Sequence, residues 1–263
     1  MIIDIESMSY KDNLVFSSTH LEIEKNKFYM LIGKNGTGKT TLMKIISSLI
    51  NDYKGHIDYQ GQKVNAYLDG FSIPSSYSGI ETAKLILSTE EFIKFKSISS
   101  KFNIDYYYDR KYSTYFLGMR LKLALCLVFS MKGDVLLLDE PFNGLDEDAR
   151  NNLIYLINEE KKSRTIVIST HVFNSLYSYA DKVILIENKK LILKEMLTQI
   201  YRVKFSSYNE LSKFITEFDY KNAKVNDKTT EIFISNENLP KFKKDLSMFD
   251  FISFEKVGFE YEN

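Results

Sequence analysis

Residues 33–40 read Gly33-Lys34-Asn35-Gly36-Thr37-Gly38-Lys39-Thr40 and match the pattern GxxxxGK(S/T) at every fixed position. Small residues in such a loop let successive backbone N–H groups converge on phosphate oxygens. The helix that follows adds its positive N-terminal end, Lys39 reaches the outer phosphates, and Thr40 Oγ is suited to Mg²⁺. An apolar strand-like run, Lys27 to Ile32 (KFYMLI), precedes the loop, and a helical pattern, Lys39 to Ile50 (KTTLMKIISSLI), follows it. A tight turn with no ligand would have no use for Lys and Thr directly after the third glycine. The chain holds only 11 glycines and three prolines, so three glycines within six residues mark a special backbone geometry.

Downstream of this loop, strand and helix signals alternate. A short strand and hairpin are expected over His56 to Val64, with Gly55 and Gly61 as turn residues. Ser78 and Glu81 form a capping-box signature for a helix over Ile80 to Leu87, and a second helix is expected over Thr89 to Ser97. Helices at Leu117 to Met131, Glu147 to Glu160 and Val172 to Tyr179 alternate with strands at Val135 to Leu138, Thr165 to Ser169 and Lys182 to Glu187. Strand alternating with helix implies a parallel sheet covered on both faces. After Ile200 the order becomes strand 201–205, helix 209–218, strands 223–226 and 231–235, helix 239–249 and strand 251–256, which is the split βαβ, ferredoxin-like arrangement.

A phosphate loop alone leaves kinases, GTPases, helicases and transporters open. Val135-Leu136-Leu137-Leu138-Asp139-Glu140 is a buried-type strand ending in two acids, one suited to Mg²⁺ (Asp139) and one to activating an attacking water (Glu140). A kinase has little use for the second acid. His171 follows another apolar strand, at the carboxyl end where open α/β sheets place their ligands, and so is assigned to the γ-phosphate. The guanine-reading pattern NKxD is absent, since Asn188-Lys189-Lys190-Leu191 lacks the acid.

Composition narrows the partners. Lys+Arg and Asp+Glu number 35 each, which gives no general attraction to nucleic acid or anionic lipid, so no nucleic-acid partner is expected. The single cysteine, Cys126, excludes a disulfide framework and fits a reducing cytosol, with the thiol acting as a buried spacer. The longest apolar stretch, Leu121 to Met131, is interrupted by Lys122 and is about half the ~20 residues that a membrane span requires.

Together these residues resemble the ATP-binding cassette ATPases, the nucleotide-binding subunits of ABC transporters, over about Ile2 to Leu193. GKNGTGKTTL resembles Walker A, VLLLDEP Walker B, NGLD the D-loop and STH the switch histidine. The resemblance implies an α/β P-loop NTPase with a RecA-like parallel sheet core, N-terminal antiparallel strands, a helical subdomain at about 72–130 and a small C-terminal α+β domain. The expected division is 1–199 and 200–263. The resemblance also implies that Tyr10 stacks on adenine, and that Thr41 and the D-loop Asp146 join Gly33 to Thr40 around the nucleotide. The short cassette followed by a small domain looks most like bacterial ABC-2 type exporters, which move peptides, antibiotics or polysaccharides outward. The implied cofactors are ATP and Mg²⁺. The implied partners are an integral membrane permease and a second cassette, with the chain cytoplasmic and peripheral on the inner membrane face.

The chain departs from that family pattern twice. The signature, approximately YSxGM in this subfamily, here reads Tyr115-Phe116-Leu117-Gly118-Met119, so Phe116 stands where a serine would meet the partner's γ-phosphate. In Ala66-Tyr67-Leu68-Asp69-Gly70, Asp69 is the nearest equivalent of the glutamine that touches Mg²⁺. The aromatics Tyr106, Tyr107, Tyr108, Tyr112 and Tyr115 suit either a permease contact or internal packing.

Overall fold

The computed structural model describes all residues except 69–71, 171–175, 177–178, 196–197, 219–223, 227–228, 236–238 and 261–263. The expected helix at Val172 to Tyr179 falls largely outside the described residues, as do His171 and Asp69. Two compact units are present, Met1–Glu195 and Met196–Asn263.

In the first unit, strands β1 (Ile2–Tyr10), β2 (Asn13–Glu22), β3 (Phe28–Ile32), β4 (Lys54–Asp58) and β5 (Val64–Tyr67) are joined by helix α1 (Lys39–Ile46). Helices α2 (Gly79–Ile86), α3 (Thr89–Lys101) and α4 (Leu117–Ser130) come next, followed by β6 (Val135–Asp139), α5 (Glu147–Glu160), β7 (Thr165–Ser169), β8 (Lys182–Glu187) and β9 (Lys190–Glu195). One sheet has six strands in the order β5-β6-β7-β3-β8-β9; the other has three, β2-β1-β4. Every residue of β3, β6 and β7 is buried, as continuous apolar strands in a parallel sheet should be. Phe16, Ile3 and Leu21 from the antiparallel strands, Leu42, Met43 and Ile46 from α1, and Leu31, Leu137 and Val167 from the parallel sheet share one core. That packing fixes α1, and with it the loop before α1, at the carboxyl ends of the central strands.

The hairpin expected at His56 to Val64 does not form. β4 pairs antiparallel with β1, whereas β5 pairs parallel with β6, so the two strands belong to different sheets. Gly55 is therefore a strand residue. It faces the point where β1 shifts register, and a Cβ there would come within 2.1 Å of the Asp4 carbonyl oxygen, so only glycine allows the strands to approach. A hairpin does form at β8–β9, through Asn188 (φ 49°) and Lys189 (φ 64°), a pair of left-handed residues suited to a tight turn.

The Ser78/Glu81 capping box is present, and Ser88 with Glu91 makes a second one at α3. Tyr107, Tyr112 and Tyr115 of this region pack internally. Tyr112 and Tyr115 are buried, Tyr107 meets Tyr115 edge-on at 5.2 Å, and Tyr115 Oη donates to the Tyr107 carbonyl at 3.0 Å, while Tyr106 is exposed. Burial pushes the Tyr115 phenol up to about 12. Cys126 is fully buried on α4, and burial pushes its thiol up as well, which fits a spacer.

The second unit contains β10 (Thr198–Phe205), α6 (Tyr208–Glu217), β11 (Lys224–Asn226), β12 (Glu231–Ser235), α7 (Leu239–Leu246) and β13 (Phe251–Glu260). Its antiparallel sheet runs β11-β12-β10-β13. Leu211 and Phe214 of α6 and Phe242 and Leu246 of α7 pack on Val203, Phe205 and Ile232, the single-faced core of a ferredoxin-like α+β fold.

Candidate nucleotide site

The loop between β3 and α1 closes on its own lysine. Lys39 Nζ donates to the Gly33 carbonyl at 2.8 Å and to that of Lys34 at 3.4 Å, while Thr37 N and Oγ1 donate to the Lys34 carbonyl at 3.2 and 2.9 Å. Gly38 caps α1 with φ 108° and lies against β2, where an added Cβ would be 2.6 Å from Val15 Cγ1 and 2.9 Å from Phe16 Cζ. No side chain caps α1, so its first-turn N–H groups are not taken up by a side-chain cap.

A cavity of about 360 Å³ opens over this loop, lined by Tyr10, Asn13, Val15, Asn35, Gly36, Gly38, Lys39, Thr40, Thr41, Asp139 and Glu140. Its size suits a small-molecule ligand. Gly33, Lys34 and Thr37 belong to the loop but not to the cavity lining. Tyr10, half exposed at the β1–β2 turn, forms one wall. Asn13 and Val15 are additions that sequence reasoning missed, and their nearness to Tyr10 across that turn was the available signal.

At the floor, Thr40 Oγ1 donates to Asp139 Oδ2 at 2.6 Å. Asp139 Oδ1 accepts from Ser169 Oγ, because β6 and β7 run parallel with Asp139 opposite Ser169. Glu140 follows in a left-handed conformation, φ 48°, with its N–H directed at Ser169 Oγ (3.0 Å) and Ser169 O (3.1 Å). Sequence reasoning quoted Ser169 in its strand but gave it no role; its partners lie thirty residues upstream. The Thr40 hydroxyl and Asp139 carboxylate present hard oxygen donors side by side, the donor type Mg²⁺ prefers, so the residues present fit that ion.

Asp146 stands apart from the cavity lining. It caps α5 by accepting from Ala149 N at 2.8 Å, and its other oxygen meets Lys122 Nζ of α4 at 2.6 Å. The Lys122 ammonium and then the Ala149 N–H hold its carboxyl below the usual carboxylate range. The first turn of α4 lies on the 141–146 turn, since a Cβ on Gly118 would sit 3.0 Å from the Gly144 carbonyl oxygen. Phe116 is the N-cap of α4, makes no side-chain cap and is 80% exposed, beside Leu117 at 76%.

Comparison with known proteins gives the family of the chain. Residues 16–143 match the family described as ABC transporter. The "Uncharacterized ABC transporter ATP-binding protein YthP" of Bacillus subtilis is 31% identical over 196 residues, 71% of this chain and 82% of that protein. The "Bacitracin transport ATP-binding protein BcrA" of Enterococcus faecalis is 26% identical over 250 residues, 88% of this chain and 78% of that one. A solved "ATP binding subunit of ABC transporter" superposes with a TM-score of 0.69 at 21% identity, covering 74% of this chain and 90% of the other. The chain therefore belongs to the ABC transporter ATP-binding proteins and is an ABC-type ATPase.

Proposed function

We propose that this chain powers an exporter by hydrolysing ATP beside a separate integral membrane permease, working as one of two cassettes that close on nucleotide. The observation that carries this is the Thr40–Asp139 contact at the floor of a cavity walled by the phosphate loop, with Glu140 at its edge. Tyr10 stacks on the adenine, and the backbone N–H groups of residues 33–41 together with Lys39 hold the phosphates. Thr40 and Asp139 would hold Mg²⁺, which neutralises phosphate charge when bound. Glu140 accepts a proton from the attacking water. His171 and Asp69 keep their assignments to the γ-phosphate and to Mg²⁺, although both lie outside the described residues. Among the described residues no helix is long and apolar enough to cross a membrane. An antibiotic-like peptide is the substrate class favoured by the similarity to a bacitracin transport protein.

A second reading is supported by Phe116. Phe116 sits at the N-cap of α4 with its ring exposed and no hydroxyl to offer, so the face lent to a partner cassette is weaker than the chain's own loop. This favours an asymmetric pair in which a different cassette supplies an intact signature and this chain's loop is the competent one. Purification from membranes in mild detergent tests both readings. A co-purifying protein rich in membrane spans supports the exporter, a second cassette beside it supports the asymmetric pair, and ribosomal proteins in their place refute both.

A further inference from the structure

Ser169 is completely buried at the end of β7, and its hydroxyl meets the carboxylate of Asp139, the last residue of β6, and the backbone N–H of Glu140 just after it. A serine hydroxyl carries one proton. The Glu140 N–H can only donate, which leaves the hydroxyl proton for the Asp139 carboxylate. Ser169 Oγ donates to Asp139 Oδ1 and accepts from Glu140 N. The second oxygen of Asp139 is already taken by Thr40. The carboxylate is thus held at both ends by hydroxyls from two separate elements, α1 and β7. Glu140, at φ 48°, occupies a region that non-glycine residues enter at a cost and keep only where the surroundings over-determine it. Two acceptors on one residue, Ser169 Oγ and Ser169 O, receive its N–H.

We propose that Ser169 is a positioning residue whose hydroxyl orients Asp139 toward Mg²⁺ and fixes the backbone from which Glu140 reaches the attacking water. The inference rests on the roles given above to Asp139 and Glu140. Ser169→Ala leaves one oxygen of a buried carboxylate without its donor and Glu140 N with the backbone carbonyl alone. The phosphate loop and Lys39 lie on other elements and keep their geometry. The effect therefore falls on the metal-dependent part of nucleotide binding and on turnover, and spares binding without metal.

The test titrates Mg²⁺ into the full chain with a fluorescent N-methylanthraniloyl-ATP, beside the same binding in EDTA, for wild type, Ser169→Ala and Ser169→Thr, with thermal melts confirming folding. Loss of a hydrogen bond to a charged group predicts an Mg²⁺ midpoint raised about tenfold in Ser169→Ala, with affinity in EDTA unchanged. Ser169→Thr, which keeps the hydroxyl, retains a midpoint near wild type. An unchanged midpoint in a folded Ser169→Ala protein, or equal weakening with and without metal, overturns the proposal. Glu140→Gln separates the two claims: ordinary turnover in that variant removes the assignment of the base, while a shifted Mg²⁺ midpoint in Ser169→Ala still establishes Ser169 as positioning Asp139.

Discussion

Replacing Gly38 by alanine puts the greatest demand on the proposed phosphate loop. Gly38 has φ 108°, where a Cβ is strained whatever the space around it, at about 1–2 kcal/mol. The same Cβ would lie 2.6 Å from Val15 Cγ1 and 2.9 Å from Phe16 Cζ, and Phe16 is fully buried, so the ring cannot swing outward. Overpacking of a formed core adds about 1–3 kcal/mol. The expected destabilisation is about 2–5 kcal/mol, or loop displacement that relieves it and moves the cradle's N–H groups off the phosphates. Gly36→Ala is the internal control: φ is 81° but nothing lies within 4 Å of the added carbon, so only the conformational cost of about 1 kcal/mol applies. Urea unfolding followed by tyrosine fluorescence and circular dichroism, with nucleotide affinity measured in parallel, separates the two variants. Equal midpoints and equal affinities for Gly36→Ala and Gly38→Ala would refute the argument that β2 braces the loop.

Further outcomes follow from the same geometry. Tyr10→Ala should weaken ATP by about tenfold through loss of a stacked base and leave inorganic tripolyphosphate binding unchanged, which competition against the fluorescent nucleotide measures. Phe116→Ser should raise turnover of a homodimer by about tenfold or more if a hydroxyl at the α4 N-cap restores a charge-assisted bond to the opposing phosphate. Lys122→Met removes the ion pair to a largely exposed Asp146, so the stability change should be under about 1 kcal/mol by urea unfolding. Because Asp146 is held below the ordinary carboxylate range, this contribution is present at neutral pH and is lost as pH falls through its folded value; the wild-type and Lys122→Met midpoints should converge in acid.

The phosphate loop and the central strands were legible because their signals are local. Glycine spacing, a fully apolar run and a following helical period sit within about twenty residues, and the bounds of α5, β7, β8 and β12 coincide with those read from the pattern. What failed was non-local. Gly55 and Gly61 looked like the two ends of a hairpin, but β4 pairs with β1 some fifty residues earlier and β5 with β6 some seventy later. The β8–β9 turn went unread because Asn188 and Lys189 were weighed as a nucleotide motif, while their left-handed backbone is what matters. The tyrosines between α3 and α4 could not be assigned by sequence to packing or docking; burial decides for packing at Tyr112 and Tyr115, whereas Tyr106 is exposed. At the site, Thr40, Asp139 and Glu140 were found because each belongs to a motif. Ser169 was overlooked because a serine ending a buried strand resembles any strand terminus until the parallel register sets it opposite Asp139.

The most direct test of ATP hydrolysis at this site is single-turnover cleavage of γ-labelled ATP by the wild-type chain and by Glu140→Gln, with binding measured in the same samples. The account predicts that both bind Mg-ATP with similar affinity and that cleavage in Glu140→Gln is almost abolished. Cleavage at the wild-type rate by Glu140→Gln would contradict it, because a left-handed Glu140 beside the Thr40–Asp139 pair would then have no part in the reaction.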